Sequence, residues 1–258
     1  MDKKIAFFDI DGTLLDHDKK LPEKTKKAIQ DLKEQGVYCA IATGRAPFMY
    51  KELREELGID SYISFNGQYV VFEGKEVYTN PLSGPDLEKL HAHAESNDHP
   101  MVFMNHEEMR ASTPDHEDIS SSLGTLYIDH PYEDASFYKG RKIYQSLIFC
   151  EGDEIEEYRE AFPAFDYIRW HPVSCDVLPQ GGSKAEGIKK LVEAAGLRME
   201  DTFAFGDGLN DIEMIREVGT GVAMGNAVSE TKAVSDFVTV DVAEDGLSHA
   251  IYELGLLK

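Results

Sequence analysis

The sequence predicts an α/β protein, and three observations carry that prediction. Apolar, strand-like runs alternate with helical runs through the first third of the chain. The same alternation resumes at Ser183 and continues to the C-terminal end. Between these stretches, from Gly84 to about Gln180, short strands and helices follow a different rhythm. Strand, helix, strand, helix implies a parallel sheet wrapped by helices. The outer thirds are therefore expected to build one Rossmann-like, parallel-sheet core and the middle an inserted α+β domain. The expected boundaries are 1–82 and 183–258 for the core and 83–182 for the insertion.

Each element follows from its residues. "KKIAFFDI" is apolar and aromatic and reads as a strand, whereas "LPEKTKKAIQDLKEQG" has an early Pro, helical apolar spacing and a terminal Gly36. "VYCAIATG" is a second buried strand ending in a small-residue turn, and "APFMYKELREELG" a second helix. "SYISFNG" supplies a third strand, and "QYVVFEGKEVYTN" a hairpin turning at Glu73 and Gly74. In the middle block, strands are expected at "MVFMN", "KIYQSLIFC" and "FDYIRW", with helices at "PDLEKLHAHAE" and "GDEIEEYREAF". The last third reads as helix "SKAEGIKKLVEAAG", strand "TFAFGD", helix "NDIEMIREV", strand "TGVAMG", a helix from Ala227, strand "FVTV" and a final helix. No internal repeat or low-complexity segment interrupts it.

Composition narrows the function. The chain of 258 residues carries 48 acidic against 26 basic residues, a formal net charge of -22. Such a surface repels a phosphate-rich polymer, so nucleic acid is not expected as a partner, although a local basic pocket can hold one small phosphate ester. Cys39, Cys150 and Cys175 are odd in number and far apart, which suits buried thiols in a reducing cytoplasm better than a disulfide framework. The N-terminal apolar run is too short for a signal sequence, and no stretch approaches the roughly 18 to 20 apolar residues of a membrane span. A soluble, cytoplasmic protein without a membrane partner is expected, and nothing in the sequence speaks to its oligomeric state. Seven of the nine histidines lie in the middle block, but His91 and His93 are two apart on a helix and face different ways, so surface positions are expected rather than a metal cluster.

In an open parallel sheet, ligands bind beyond the carboxyl ends of the strands, and four candidate clusters fall there. Asp9 and Asp11 end the first strand, and Thr43, Gly44 and Arg45 end the second. Lys184 opens the helix after the insertion, and Asp207, Asn210 and Asp211 follow "TFAFG". Each has an ordinary explanation alone, as a cap, a turn hydroxyl or a solvated charge. Together, two acidic clusters distant in sequence suit a hard, oxygen-seeking cation such as Mg²⁺. A hydroxyl, backbone amides beside Gly44 and a lysine are the donors that a phosphoryl group needs.

"DIDGT", "TGR", the isolated "SK" and "GDGLND", in that order, resemble the four motifs of the haloacid dehalogenase superfamily. The large insertion between the second and third motifs is similar to that of the Cof-type phosphatases, whose cap domain lies in that position. The resemblance implies a phosphoric monoester hydrolase in which Asp9 is the nucleophile that forms an aspartyl-phosphate. It implies that Asp11 is the general acid and then the base, with its backbone carbonyl on the metal. By the same resemblance Thr43, Gly44, Lys184 and Asn210 hold phosphate, Asp9, Asp11 and Asp207 hold Mg²⁺, and Thr13 and Asp211 support the site.

The resemblance also implies that the cap contacts the rest of the substrate, a small phosphorylated metabolite. Candidates for that contact are Arg45, Asn66, Gly67, Arg169, Trp170 and His171. A sugar phosphate leads the expected substrates, followed by an ester of the flavin mononucleotide or pyridoxal phosphate type. The alternatives are a phosphoryl transferase or mutase, and a ligand-binding regulatory protein with little turnover. Metal-free dehalogenation fits worst, because Asp11 and the acidic fourth motif suit metal-assisted phosphoryl chemistry. "GGSKAEG" lacks the full GxxxxGK[ST] pattern of a nucleoside triphosphatase loop.

Overall fold

The computed structural model describes residues 3–257. From the N-terminal end, β1 (Ile5–Phe8), α1 (Glu23–Glu34), β2 (Tyr38–Ala42), α2 (Lys51–Leu57) and β3 (Tyr62–Ser64) alternate, and the hairpin β4 (Tyr69–Phe72) and β5 (Lys75–Thr79) follows. The hairpin turns at Glu73 and Gly74, both with positive φ (46° and 73°), as the tight turn between two strands requires. The second helix is shorter than its sequence suggests, because Pro47–Tyr50 form a 3-10 turn ahead of α2. The middle of the chain forms α3 (Gly84–Ser96), β6 (Met101–Met104), β7 (Met109–Ala111), α4 (Glu117–Gly124), β8 (Gln145–Phe149), α5 (Ile155–Ala161), β9 (Phe165–His171) and β10 (Ser174–Pro179). The final stretch forms α6 (Lys184–Ala195), β11 (Thr202–Gly206), α7 (Ile212–Glu217), β12 (Thr220–Ala223), α8 (Ser229–Val234), β13 (Phe237–Val238) and α9 (Gly246–Glu253).

These elements make two compact units, one of residues 1–45, 50–79 and 183–258, the other of residues 46–49 and 80–182. The first holds an eight-stranded sheet in the order β13-β12-β11-β1-β2-β3-β4-β5. It is parallel from β13 to β3 and antiparallel over β4 and β5. Alternate residues of β1 face opposite ways, as the pleat demands. Ala6 and Phe8 pack with Ile29 and Leu32 of α1 and with Leu247 and Ile251 of α9. Ile5 and Phe7 pack with Ile188 and Leu191 of α6 and with Met214 and Ile215 of α7. The sheet is thus buried on both faces, which is why β1, β2 and β11 read as near-continuous apolar runs. Strand order departs in opposite directions from β1 and β11, the arrangement that opens a ligand crevice at their carboxyl ends.

The inserted unit has a five-stranded antiparallel sheet in the order β7-β6-β8-β10-β9. Leu87 and Leu90 of α3 and Ile155 and Tyr158 of α5 cover one face, where Met101, Phe103, Ile148, Cys175 and Val177 are buried. All seven histidines of this block are half-buried rather than on the surface. Aromatic packing explains the difference: His91 lies against Phe103 and Tyr138, and His93 against Tyr158 and Phe162. No helix among the described residues is long and apolar enough to cross a membrane.

Candidate active site

The end of β1 is set by the sheet itself. The Asp9 backbone N–H still bonds the Phe205 carbonyl of β11 at 3.0 Å, after which the chain turns out of the ladder. Asp9 is 7 % exposed, and Lys184, 1 % exposed, donates from Nζ to its Oδ1 at 2.6 Å. The same ammonium donates to Asp211 Oδ1 at 2.6 Å, and Asp211 is fully buried. The other Asp211 oxygen accepts from the backbone N–H groups of Asp207 and Gly208, both at 2.9 Å. Asp211 is therefore spent on structure: it closes the loop after β11 and fixes the lysine. Lys184 is the first residue of α6, where the helix dipole opposes a cation, so the two carboxylates are what hold it there.

The pKa shifts follow from that crowding. Burial is the main cause that drives the Asp9 carboxyl well above the usual carboxylate range; Lys184 pulls it down and Asp211 and Asp207 push it up again. Burial and the charge of Asp211 push Asp207 up to about 6. For Lys184 burial works against the charge, but Asp211 and Asp9 outweigh it, and the ammonium is held above its ordinary value. Oxygens of Asp9, Asp207 and Asp211 lie within 4.8 Å of one another, the one such acidic or cysteine–histidine grouping among the described residues. Three clustered carboxylates against one lysine leave an uncompensated charge of about two, which fits a divalent cation on oxygen ligands. Because both oxygens of Asp211 are already engaged, Asp9 and Asp207 are the side chains with room for it.

The surrounding turn is shaped to that purpose. Gly12 has φ +79°, and a Cβ there would meet Asp207 Oδ2 at 2.3 Å, so only glycine lets this carboxylate sit against the turn. Thr13, fully buried, donates its hydroxyl to Asp207 Oδ1 at 3.4 Å. Asn226, a residue the sequence reading did not single out, donates from Nδ2 to the Gly12 carbonyl at 2.8 Å and to Asp207 Oδ2 at 3.3 Å. Its Oδ1 accepts from Val242 N at 2.9 Å, so one side chain ties three loops together. It follows β12 as Asp207 follows β11, and the strand-end rule used for the other residues applies to it equally.

Thr43 is buried at the end of β2, and its Oγ1 accepts from Arg45 N at 3.1 Å. That leaves the hydroxyl proton for another acceptor. Asn66 has φ 51°, lies against Gly44 and accepts at Oδ1 from Asn210 Nδ2 at 3.4 Å. Gly67 packs so close to the start of α6 that a Cβ would meet the Ser183 carbonyl at 2.1 Å. Asn66 and Gly67 thus brace the turn after β2 and the entry to α6.

Asp11 is held differently from Asp9. Arg45 donates Nε to its Oδ2 at 2.9 Å and Nη2 to its Oδ1 at 2.6 Å, and Lys19 donates Nζ to Oδ1 at 2.7 Å. Burial of Asp11 works upward, but Arg45 and Lys19 overcome it and hold the carboxyl below its ordinary value. Lys19 was not singled out from sequence. Asp11, Lys19, Asp207 and Asn226 share an open cavity of about 340 Å³. A larger one, about 440 Å³, lies at the opposite edge of the sheet beside Lys33, Tyr38 and Ser61, away from the carboxylate cluster.

Arg169, Trp170 and His171 belong to the inserted unit. The Arg169 guanidinium is committed to backbone carbonyls, those of Cys150 at 3.1 Å, Pro172 at 2.8 Å and Gly152 at 2.8 Å. The Trp170 ring packs on His171 with centroids 5.8 Å apart.

The model of a known family, the haloacid dehalogenase-like hydrolases, matches residues 6–251. The chain belongs to that family. The resemblance read from its four motifs is borne out, and the α/β fold with a parallel-sheet core is shared with solved members. The hydrolase is 53% identical over 258 residues to "Putative phosphatase YkrA" of Bacillus subtilis (strain 168), covering all of both chains. It is 29% identical over 256 residues to the B. subtilis 5-amino-6-(5-phospho-D-ribitylamino)uracil phosphatase YcsE, covering 97% of this chain and 95% of that one. Among solved structures it superposes on the subclass IIB sugar phosphatase BT4131 with a TM-score of 0.84 and 30% identity, covering 99% of this chain and all of the other.

Proposed function

We propose that this hydrolase is a Mg²⁺-dependent phosphatase that cleaves a small phosphomonoester through an aspartyl-phosphate on Asp9. The observation that carries the reading is the Asp9–Lys184–Asp211 chain: Lys184 takes Asp9 Oδ1 and leaves Oδ2 for attack, at the end of a strand paired on both sides. An ammonium has three N–H donors, and two are spent on carboxylates, so the third is available to a phosphoryl oxygen. Thr43 offers its hydroxyl proton to another, and Asn210 supports the same pocket through Asn66. Asp9, Asp207 and the Asp11 backbone carbonyl would hold Mg²⁺, whose chemistry is to neutralise the phosphoryl charge and the crowded carboxylates.

Two displacements follow. Asp9 Oδ2 attacks phosphorus and the bond to the ester oxygen breaks; Asp11, which takes up a proton once it leaves the Arg45 and Lys19 donors that hold it ionised, gives that proton to the ester oxygen. Water then attacks the aspartyl-phosphate, Asp11 takes the proton, and inorganic phosphate leaves with Asp9 restored. Two relatives favour a polyol beside the ester, since one is named a sugar phosphatase and the other acts on a phosphoribityl compound. A sugar phosphate is thus the leading substrate, and a cofactor phosphate of the flavin mononucleotide type the next. The test is phosphate release from sugar phosphates, nucleotides and cofactor phosphates, with Mg²⁺ and with chelator. Metal-dependent release from a few related esters is expected. Bisphosphate-dependent interconversion without net release would make the protein a mutase, and tight binding without turnover would make it a regulatory protein.

A further inference from the structure

Resting on the phosphatase reading, the geometry points to a second oxyanion-binding locus at this site: we propose that Arg45 and Lys19 together bind a carboxylate or second phosphate on the substrate, remote from the transferred phosphoryl group. Two cations converge on the single carboxylate of Asp11, through three N–H donors at 2.6 to 2.9 Å. One carboxylate balances one of them, and Lys19 and Asp11 line an open cavity together with Asp16, His17 and Asp207, in a chain of net charge -22. Two cations converging on one carboxylate are the local positive feature that can hold an oxyanion against an otherwise repulsive surface.

The arrangement is built rather than incidental. Lys19 has φ 60°, a left-handed conformation that non-glycine residues seldom adopt. The turn imposes it: Asp16 N donates to the Lys20 carbonyl at 2.9 Å, Lys19 N to the Asp16 carbonyl at 3.0 Å, and Asp16 Oδ1 accepts from Asp18 N and Lys20 N, both at 2.9 Å. Arg45 presents a planar fork to Asp11, the geometry suited to any carboxylate or phosphate. Both oxygens of Asp11 are occupied by these donors, yet the same oxygens must reach the leaving group in turnover. When Asp11 turns to the ester oxygen, a guanidinium and an ammonium are left side by side, and a substrate oxyanion is the partner that takes its place.

The experiment compares esters that differ in one group: glycerol 3-phosphate with 3-phosphoglycerate, glucose 6-phosphate with 6-phosphogluconate, and fructose 6-phosphate with fructose 1,6-bisphosphate. The wild-type protein is expected to prefer the anionic member by roughly tenfold or more in kcat/KM, chiefly through KM, and to lose that preference as salt rises. The carboxylate and bisphosphate arms show which oxyanion is taken. Lys19→Met and Arg45→Met should each shrink the ratio at least fivefold, and Lys19→Arg should restore it. Both side chains are partly exposed, and an unchanged melting temperature confirms that the variants fold. Equal rates within pairs, or substitutions that slow both members alike, overturn the proposal. Release from no ester at all overturns the phosphatase reading itself, and the proposal with it.

Discussion

The carboxyl edge of the core sheet and the sheet of the inserted unit each shield an aspartate from water, and they surround it with different partners. At the core edge Asp9 and Asp211 share a buried ammonium, and Asp211 adds two backbone N–H donors. In the inserted unit, burial pushes the Asp176 carboxyl of β10 up to about 7, and the neutral Gln145 and Trp170 are the side chains that pull it down. Burial raises both carboxyls well above the usual range, but at Asp9 the Lys184 ammonium pulls back toward the charged form that a nucleophile needs, whereas at Asp176 only neutral hydrogen-bond donors do so. The contrast teaches where to look for chemistry: burial raises both aspartates alike, and only one of them has a cation and further carboxylates beside it.

The largest effect should come from removing the charge that the core edge is built to hold. Asp9→Asn is nearly isosteric and keeps the hydrogen-bonding shape, so circular dichroism should match the wild type while phosphate release falls by about 10⁴-fold or more. Near-normal release would end the covalent mechanism and reduce Asp9 to a charge in the pocket.

Lys184→Met breaks the comparison from the other side, because it gives the core edge the same unpaired condition as Asp176. Removing one member of a buried ion pair costs about 3–5 kcal/mol. Urea unfolding in chelator should show a loss of that order, together with loss of turnover. A variant as stable as wild type would mean that Asp9 and Asp211 do not depend on the lysine for their burial.

Metal comes next in size. With Asp207 raised to about 6, the metal-free folded state binds more protons than the unfolded one between about pH 4 and 6. Its contribution to stability is therefore full below about pH 4 and is lost as pH rises through 6. Mg²⁺ competes with those protons, so its stabilisation should be small at pH 5 and about 5 °C at pH 8 at saturating concentrations. Asp207→Asn should abolish the gain. A melting temperature indifferent to Mg²⁺ at pH 8 would place the cation elsewhere.

The core edge was legible in sequence because its residues sit where strands end, and strand ends are marked by apolar runs that give way to a polar residue. Asp9, Thr43 and Asp207 follow that rule, and so does Asn226, which a uniform application would have found. Lys19 has no such signature: its place depends on a turn that forces a left-handed lysine, and lysine does not advertise that conformation. Arg45 was legible as a site residue but not as the partner of Asp11, since long side chains reach across loops. In the inserted unit the missed elements are those with weak local signals. α4 is "EDISSSLG", with three serines and a terminal glycine; β7 is three residues long; β10 ends in a proline. Tertiary packing forms them, and a single sequence does not display it.

The smallest effect belongs to Asp176, and it tests the other half of the comparison. With a folded value of about 7 against an ordinary one near 4, its contribution to stability is full below pH 4 and is lost as pH rises through 7. Asp176→Asn keeps the shape and removes the titration. The variant should match wild type at pH 4 and melt a few degrees higher at pH 8, a shift of roughly 2–4 °C for each kcal/mol in a chain of this size. If the variant is instead less stable at pH 8, the Asp176 carboxylate has a favourable partner in the folded protein, and the inserted unit handles its buried acid as the core edge does.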